Sequence, residues 1–484
     1  MRRAWLAACM GVAAVRLLLG LASFPVFGPL DEHLHFDMVV RYARHAAPQG
    51  RRRLLPATAA VFVECESWEY VMREAQARFV GQQEPSWRRI HPAGVVVADV
   101  MAIGNAESFE PPVYYAVAGA WMRIGEALGQ AGCRLVYWVR LLNVFIYLAV
   151  MVVAAAAARE WYPDRPLVSQ GMAAVLAVLP QDIFMFVGNN PLMALWGGGG
   201  FWLLARGLRP CGPAPTETIA GAACLAAAVL TKIAAVPVAG VILLLPIVAA
   251  IRAGRGSRRA PLILNAALAV AVTALPIAAW MRGGGPVAAT EQGLEEKVRG
   301  TRGMTRAPWA ESLAHPILRP SGAAVFTRDL LVSFWLGETF WHGRLPGRGA
   351  AGVLVMVTTV CAMLGVWLAP RNRRDPRRIL EGLAWTALGV MAAAMALFSL
   401  TTDFSGLVYP SPAYPYLTSG RLAITVLVPF LLAWLAGLDR MARGLGFPRA
   451  GSAFVGATLV ALAWQSTAAI LRTAPSAFNW FHLP

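Results

Sequence analysis

The chain has 484 residues, of which 57% are hydrophobic and only 14% charged, with a mean hydropathy of +0.55. A soluble globular domain carries about a quarter charged residues, so this composition excludes one and indicates an all-α polytopic membrane protein. The net charge of +17 then reads as arginine gathered in short cytoplasmic loops; the bilayer is the expected partner and no nucleic acid is.

The opening MRRAWLAACMGVAAVRLLLGLASFPVF (1–27) reads as an uncleaved first span. Arg2 and Arg3 precede it and it is long enough to cross, while Arg16 interrupts it and Leu-Ala-Ser is a poor cleavage signal. Next comes GPLDEHLHF (28–36), which crowds two acids and two histidines behind the apolar run. Further apolar segments lie near 111–128, 134–158, 167–187, 190–206, 216–232, 234–251, 260–280, 350–369, 379–400, 419–438 and 451–471. Segment 111–128 is the weak one, opening on Pro111-Pro112 and carrying Arg123 and Glu126.

The arginines decide its role. If 111–128 crossed, the basic loops at 159–166, 206–209, 252–259, 371–378 and 439–449 would all face outward, against the positive-inside rule. If it lies along the outer surface as an amphipathic helix, they all face inward with Arg2 and Arg3. The expectation is a bundle of about eleven transmembrane helices plus one interfacial helix, in the cytoplasmic membrane with the N-terminus inside. In chain order this gives the first span at 1–27, a first outer loop at 28–133 and spans over 134–280. A second large outer loop at 281–349 and the C-terminal spans with a short outer tail at 350–484 complete it. Only Cys65 and Cys133 fall outside spans on the outer side, where they either pair in an oxidising compartment or remain two thiols.

Most polar residues of interest collect on the outer face. Asp31 and Glu32 sit within one turn of the first span, where a low-dielectric boundary raises a carboxylate's pKa and suits it to take a proton from a hydroxyl. His33 and His35 could donate hydrogen bonds or join the acids as metal ligands; the plainer alternative is a solvated interfacial cap. Glu107 and Glu110 open the interfacial helix, where acids also serve as ordinary caps. Lys232 at a span junction, Arg421 at the start of a span and Arg140 in WVRLLNV are cations that either snorkel or bind a phosphate.

Taken together these residues resemble the GT-C superfamily of integral-membrane glycosyltransferases, which includes protein O-mannosyltransferases, aminoarabinose lipid A transferases and the oligosaccharyltransferase catalytic subunit. Within it, the chain is most similar to an uncharacterised bacterial multi-pass family with a PDE-x-x-H-F motif. Here PLDEHLHF matches at Asp31, Glu32, His35 and Phe36, with the proline one place early. PPVYY (111–115), VLTK (229–232), SFWLGETFWHGRLP (333–346) and SGRLAITVLVP (419–429) extend the likeness in order along most of the chain. The departure is GNNPLMA: Asn189 and Asn190 stand where relatives often carry an acid, which argues against a divalent metal held between two acidic loops.

The resemblance implies transfer of a sugar from a polyprenyl-phosphate donor to a glycan, lipid or protein acceptor on the outer side, with inversion. Asp31 is then the expected general base, with Glu32 orienting the acceptor or holding the base, and His35, His33 and Glu110 in support. Lys232, Arg421 and Arg140 are expected to bind the donor phosphate. Asn189, Asn190, Trp335, Trp341 and His342 are expected to contact sugar or acceptor. Two rival readings come from other classes: a lipid or glycolipid flippase, suited by intramembrane cations and glycine-rich spans, and a non-catalytic partner in envelope assembly.

Overall fold

The computed structural model describes residues 2–28, 31–44, 52–65, 101, 104–209, 212, 214–253, 259–282, 305–338, 348–368, 375–404, 410–476 and 478–483. The expected contact residues Trp341 and His342 lie outside them, as do Pro29, Leu30 and Cys211.

Helix α1 (Arg2–Ser23) is the first span. The segment that follows supplies α2 (Glu32–Ala43), α3 (Pro56–Glu64) and α4 (Val113–Ala127). Then follow α5 (Gly132–Trp161), α6 (Pro166–Val178), α7 (Asn190–Ala205), α8 (Pro215–Val229), α9 (Val236–Ile242), α10 (Leu244–Arg252) and α11 (Arg259–Arg282). The second half holds α12 (Trp309–Ala314), α13 (Pro320–Leu336), α14 (Arg348–Leu368), α15 (Pro376–Thr401), α16 (Leu427–Gly444) and α17 (Pro448–Thr473). Two short antiparallel pairs tie segments between the long helices: β1 (Arg52–Arg53) with β2 (Gly104–Asn105), and β3 (Thr305–Arg306) with β4 (Thr402–Asp403). The protein is an all-α polytopic membrane protein.

Among the described residues eight helices are long and apolar enough to cross a membrane. Three expected spans are shorter than read from sequence: α6, α7 and α8 have 13, 16 and 15 residues. At 1.5 Å per residue they cover about 20–24 Å, short of the roughly 30 Å hydrocarbon core. Segment 167–187 is the clearest correction. Pro180 pushes Leu179 out of the helical region, so α6 stops at Val178 and the chain makes a 3-10 turn at Asp182–Phe184 before α7 opens with Pro191 in its first turn.

Helix α16 is the axis. Every residue from Leu427 to Leu438 is buried, the mark of a helix apolar all round with neighbours on all sides. It packs on α14, α15, α17 and α6, and glycine at 365 and 437 lets α14 approach its backbone. Helix α4 is amphipathic: Tyr114, Tyr115, Ala118 and Met122 are buried while Val117 and Ile124 are exposed. Its buried face packs on α2 and α5, clamping the acidic stretch to the bundle.

Cys65, at the end of α3, is bonded to Cys133 at the start of α5, closing a loop of 68 residues with a Cα–Cα distance of 5.7 Å. Of the open alternatives, the paired one is realised.

Candidate functional site

Asp31 begins α2 with φ 61° and ψ 21°, a left-handed conformation that Asp tolerates better than most residues. Its carbonyl accepts from the Leu34 and His35 N–H groups at 2.9 and 3.1 Å. Its side chain stays 27% exposed and its Oδ2 lies 3.1 Å from Arg421 Nη2. These residues are 390 positions apart.

Arg421 is held from behind. Gly420 abuts the Phe334 backbone so closely that a Cβ there would overlap it, which seats the start of the 3-10 turn Gly420–Val426 against the end of α13. Gly337, at φ 78°, then turns the chain so that the Glu338 N–H donates to Asp182 Oδ2 at 2.8 Å. The Glu338 carboxylate accepts from Ser419 Oγ at 2.9 Å and from the Arg421 N–H at 3.0 Å, and its Oε2 is 3.7 Å from Arg421 Nε. Arg421 is thus placed between the partly exposed Asp31 and the buried Glu338.

Lys232 lies at the break between α8 and the next apolar segment. Its Nζ donates to Asn189 Oδ1 at 3.0 Å, and the charges acting on it include Glu107, Glu110, Arg421 and Asp31. Asn189 is fully buried and its amide also faces the Thr231 carbonyl at 3.4 Å. His35 Nδ1 shares a 2.8 Å hydrogen bond with the Tyr115 hydroxyl and lies 3.8 Å from Glu107 Oε2. Burial pushes the His35 imidazole down to about 4, against the opposing pull of Glu107, so it is neutral at pH 7. Burial likewise holds the Tyr115 hydroxyl well above its usual range.

The chain matches, over residues 17–409, the model of a family described as "Predicted membrane protein (DUF2142)". The chain belongs to this family. No curated protein matches it. Its backbone course is similar to two crystal structures of ArnT from Cupriavidus metallidurans. For the one bound to undecaprenyl phosphate the TM-score is 0.47 at 13% identity, over 97% of this chain and 76% of that one. For the apo state it is 0.43 at 14% identity, over 98% and 76%.

In this DUF2142 member the site residues expected from sequence divide into two groups. Asp31, His35, Lys232, Arg421 and Asn189 come together, with partly exposed Glu110 among the charges around Lys232. Glu32 and Arg140 form a separate, deeper pair. Arg140 places all five N–H donors on Glu32 Oε1 and Oε2 and on the Leu21, Phe24 and Pro25 carbonyls. The Glu32 oxygens also accept from the Gly28 and Val187 N–H groups. Neither side chain has any exposure. The expectation that Arg140 binds phosphate is therefore corrected: its donors are consumed inside the protein. Glu32 does not reach an acceptor either, and of its two expected roles only holding the Asp31 turn fits.

Three further expectations change. Trp335 is no sugar contact: α13 carries it into the core, where its ring meets Phe430 and Trp434 at 5.5 and 5.1 Å. Its Nε1 donates to Thr359 Oγ1 at 3.1 Å, so its one polar atom is used as well. Asn189 serves the lysine instead of a sugar, and Asn190 is buried as the first residue of α7. The His33 ring packs edge-on against Phe62.

Glu107 joins the cluster although ordinary capping accounts for it in sequence, and Glu338 was missed outright. The signal for Glu338 was a lone acid after glycine in an aromatic run, Phe-Trp-Leu-Gly-Glu. Among the described residues no group of three or more His, Cys, Asp or Glu is arranged to hold a metal ion.

Proposed function

We propose that the protein is a membrane glycosyltransferase that takes a sugar from a polyprenyl-phosphate donor and passes it to an acceptor hydroxyl or amine at the outer membrane surface. The observation that carries this reading is the Asp31–Arg421 pair: a partly exposed carboxylate and a partly exposed guanidinium 3.1 Å apart, with buried Lys232 among the same charges. The acceptor atom attacks the anomeric carbon and gives its proton to Asp31. The bond from that carbon to the phosphate oxygen breaks, and its electrons leave with the polyprenyl phosphate. Arg421 and Lys232 meet the charge that develops on the departing oxygen, where preorganised cations lower such barriers most. Glu338, Ser419 and Asn189 keep the two cations in place. One displacement of this kind inverts the anomeric centre. The GT-C-like motif order along the chain supports the same reading.

The test is native mass spectrometry of gently purified protein, followed by transfer assays with labelled polyprenyl-phosphate sugars and membrane extract. A co-purifying polyprenyl phosphate, and transfer lost in Asp31→Asn with donor binding kept, are the expected results. Transfer undiminished in Asp31→Asn overturns the assignment of the base. Lipid translocation in vesicles without any transfer overturns the enzyme reading in favour of transport.

A further inference from the structure

Pro180 ends α6 at Val178, and the two residues after it leave the helical course. Gln181 is extended, at φ −64° and ψ 111°, and Asp182 opens the 3-10 turn, where its carbonyl accepts from the Met185 N–H at 2.8 Å. Both side chains are buried and both reach the end of α13. Gln181 Nε2 donates to the Ser333 and Phe334 carbonyls at 3.0 and 2.5 Å, in the last turn, where a helix has no partners of its own for its carbonyls. Asp182 Oδ2 accepts from the Glu338 N–H at 2.8 Å, 156 positions away. Gly337 makes that reach possible. Its φ of 78° with ψ −176° is a conformation essentially confined to glycine, and a Cβ there would lie 2.8 Å from the Asp182 carboxylate carbon.

The end of α13 is in turn the support of Arg421. Ser333 Oγ donates to the Thr418 carbonyl at 2.6 Å and accepts from the Gly420 N–H at 2.9 Å. The Glu338 carboxylate accepts from the Arg421 N–H at 3.0 Å, and Arg421 Nη2 meets Asp31 Oδ2 at 3.1 Å. The path from Asp182 to Asp31 thus runs through Glu338 and Arg421 with no step longer than 3.1 Å. Further along the same break between α6 and α7, the Val187 N–H donates to Glu32, next to Asp31, at 2.8 Å. Asn189 accepts from Lys232 at 3.0 Å. One irregular segment therefore braces the neighbours of Asp31, Arg421 and Lys232 alike.

We propose that Gln181 and Asp182 are positioning residues for Arg421: by fixing the end of α13 they set where the guanidinium stands against Asp31. They act through Ser333 and Glu338. The consequence for turnover rests on the glycosyltransferase reading, whereas the placement of Arg421 does not. In that reading Arg421 meets charge that appears only as the bond from sugar to phosphate breaks. Its displacement therefore lowers kcat more than it raises donor KM.

The experiment compares the full chain in detergent as wild type, Asp182→Ala, Asp182→Asn and Gln181→Leu. It reads hydrogen–deuterium exchange and transfer from a labelled polyprenyl-phosphate sugar. The Gly420 and Arg421 amides report the placement directly, because Ser333 Oγ and the Glu338 carboxylate accept from them. Asp182→Ala is expected to speed exchange at these two amides about tenfold while α16 exchanges as in wild type. Asp182→Asn, whose amide carbonyl still accepts the Glu338 N–H, is expected to restore the slow rate. In Asp182→Ala, kcat per folded molecule is expected to fall roughly 10–100-fold, with donor KM changed less. In an Arg421→Gln background the same substitution should cost no further turnover, since both changes act at one point. Gln181→Leu removes both bonds to the α13 carbonyls and decides the matter by the same signature if Asp182→Ala fails to fold. Unchanged exchange at Gly420 and Arg421, or losses that multiply with Arg421→Gln, overturn the proposal. If exchange responds as expected but no chain transfers sugar, the placement stands and the glycosyltransferase reading fails.

Discussion

Glu32 and Arg140 meet through two charge-assisted hydrogen bonds of 2.7 and 2.6 Å, 108 positions apart in sequence and wholly out of solvent. Breaking such a pair by removing one charge strands the other in a low dielectric, at a cost of about 3–5 kcal/mol. Glu32→Gln is therefore expected to lower the thermal midpoint in detergent sharply and to cut yield. A midpoint within experimental error of wild type would show that the pair is not what fastens the start of α2 to α1 and α5.

The neighbouring carboxylate behaves differently. Asp31 is partly exposed and its partner Arg421 is also held by Glu338, so no charge is left stranded when Asp31 is neutralised. Asp31→Asn is expected to leave the midpoint nearly unchanged and to reduce sugar transfer about 10²–10⁴-fold, the usual contribution of a general base. Two adjacent acids thus separate into one stability variant and one turnover variant. Similar losses of stability in both would merge the roles.

His35 predicts a pH dependence. Its folded value of about 4 lies below the 6.5 of an unperturbed histidine, because burial disfavours the charged ring. Above pH 6.5 the ring is neutral in folded and unfolded chains alike and stability from this source is fully present. As pH falls from 6.5 to 4 the unfolded chain takes up the proton first, and stability falls by up to about 3 kcal/mol. Midpoints measured across that window should fall more steeply for wild type than for His35→Gln. Parallel curves would mean that the ring already carries a proton when folded.

The bundle was legible because its signals are local. Apolar run length is read within one segment and yields the long spans, and the prolines and charges of 111–128 mark out the amphipathic helix α4. Asp31, with Lys232 and Arg421, was legible because charges beside apolar runs are costly and stand out. What escaped depended on distant partners. Nothing near Glu32 reveals that Arg140 will take its carboxylate, and nothing near Glu338 points to Ser419 or Arg421. The shortness of α6 was written locally in Leu179-Pro180, but hydropathy alone overruled it.

The Cys65–Cys133 bond fastens the start of α5 to α3 in the segment that also carries Asp31. Chain-entropy reasoning for a 68-residue separation gives about 4 kcal/mol of stabilisation. Cys65→Ser with Cys133→Ser is expected to lower the midpoint, and wild type reduced by dithiothreitol should approach the double variant. Thiol-reactive labelling of unfolded, unreduced wild type should spare both positions. Quantitative labelling of both would overturn the bond.

Trp335 separates packing from recognition. Its ring is enclosed by Phe334, Phe430 and Trp434, and its indole N–H is used by Thr359. Truncation to alanine leaves a cavity beside the axial helix, at about 3–5 kcal/mol. Trp335→Phe keeps most of the volume but leaves the Thr359 hydroxyl without its donor, at about 1 kcal/mol. Stability should therefore rank wild type, Phe, Ala. Donor KM in a transfer assay should be the same for wild type and Trp335→Phe, because the side chain meets no substrate. A KM raised tenfold in the phenylalanine variant, with its midpoint retained, would return Trp335 to the sugar site and require α13 to turn about its axis.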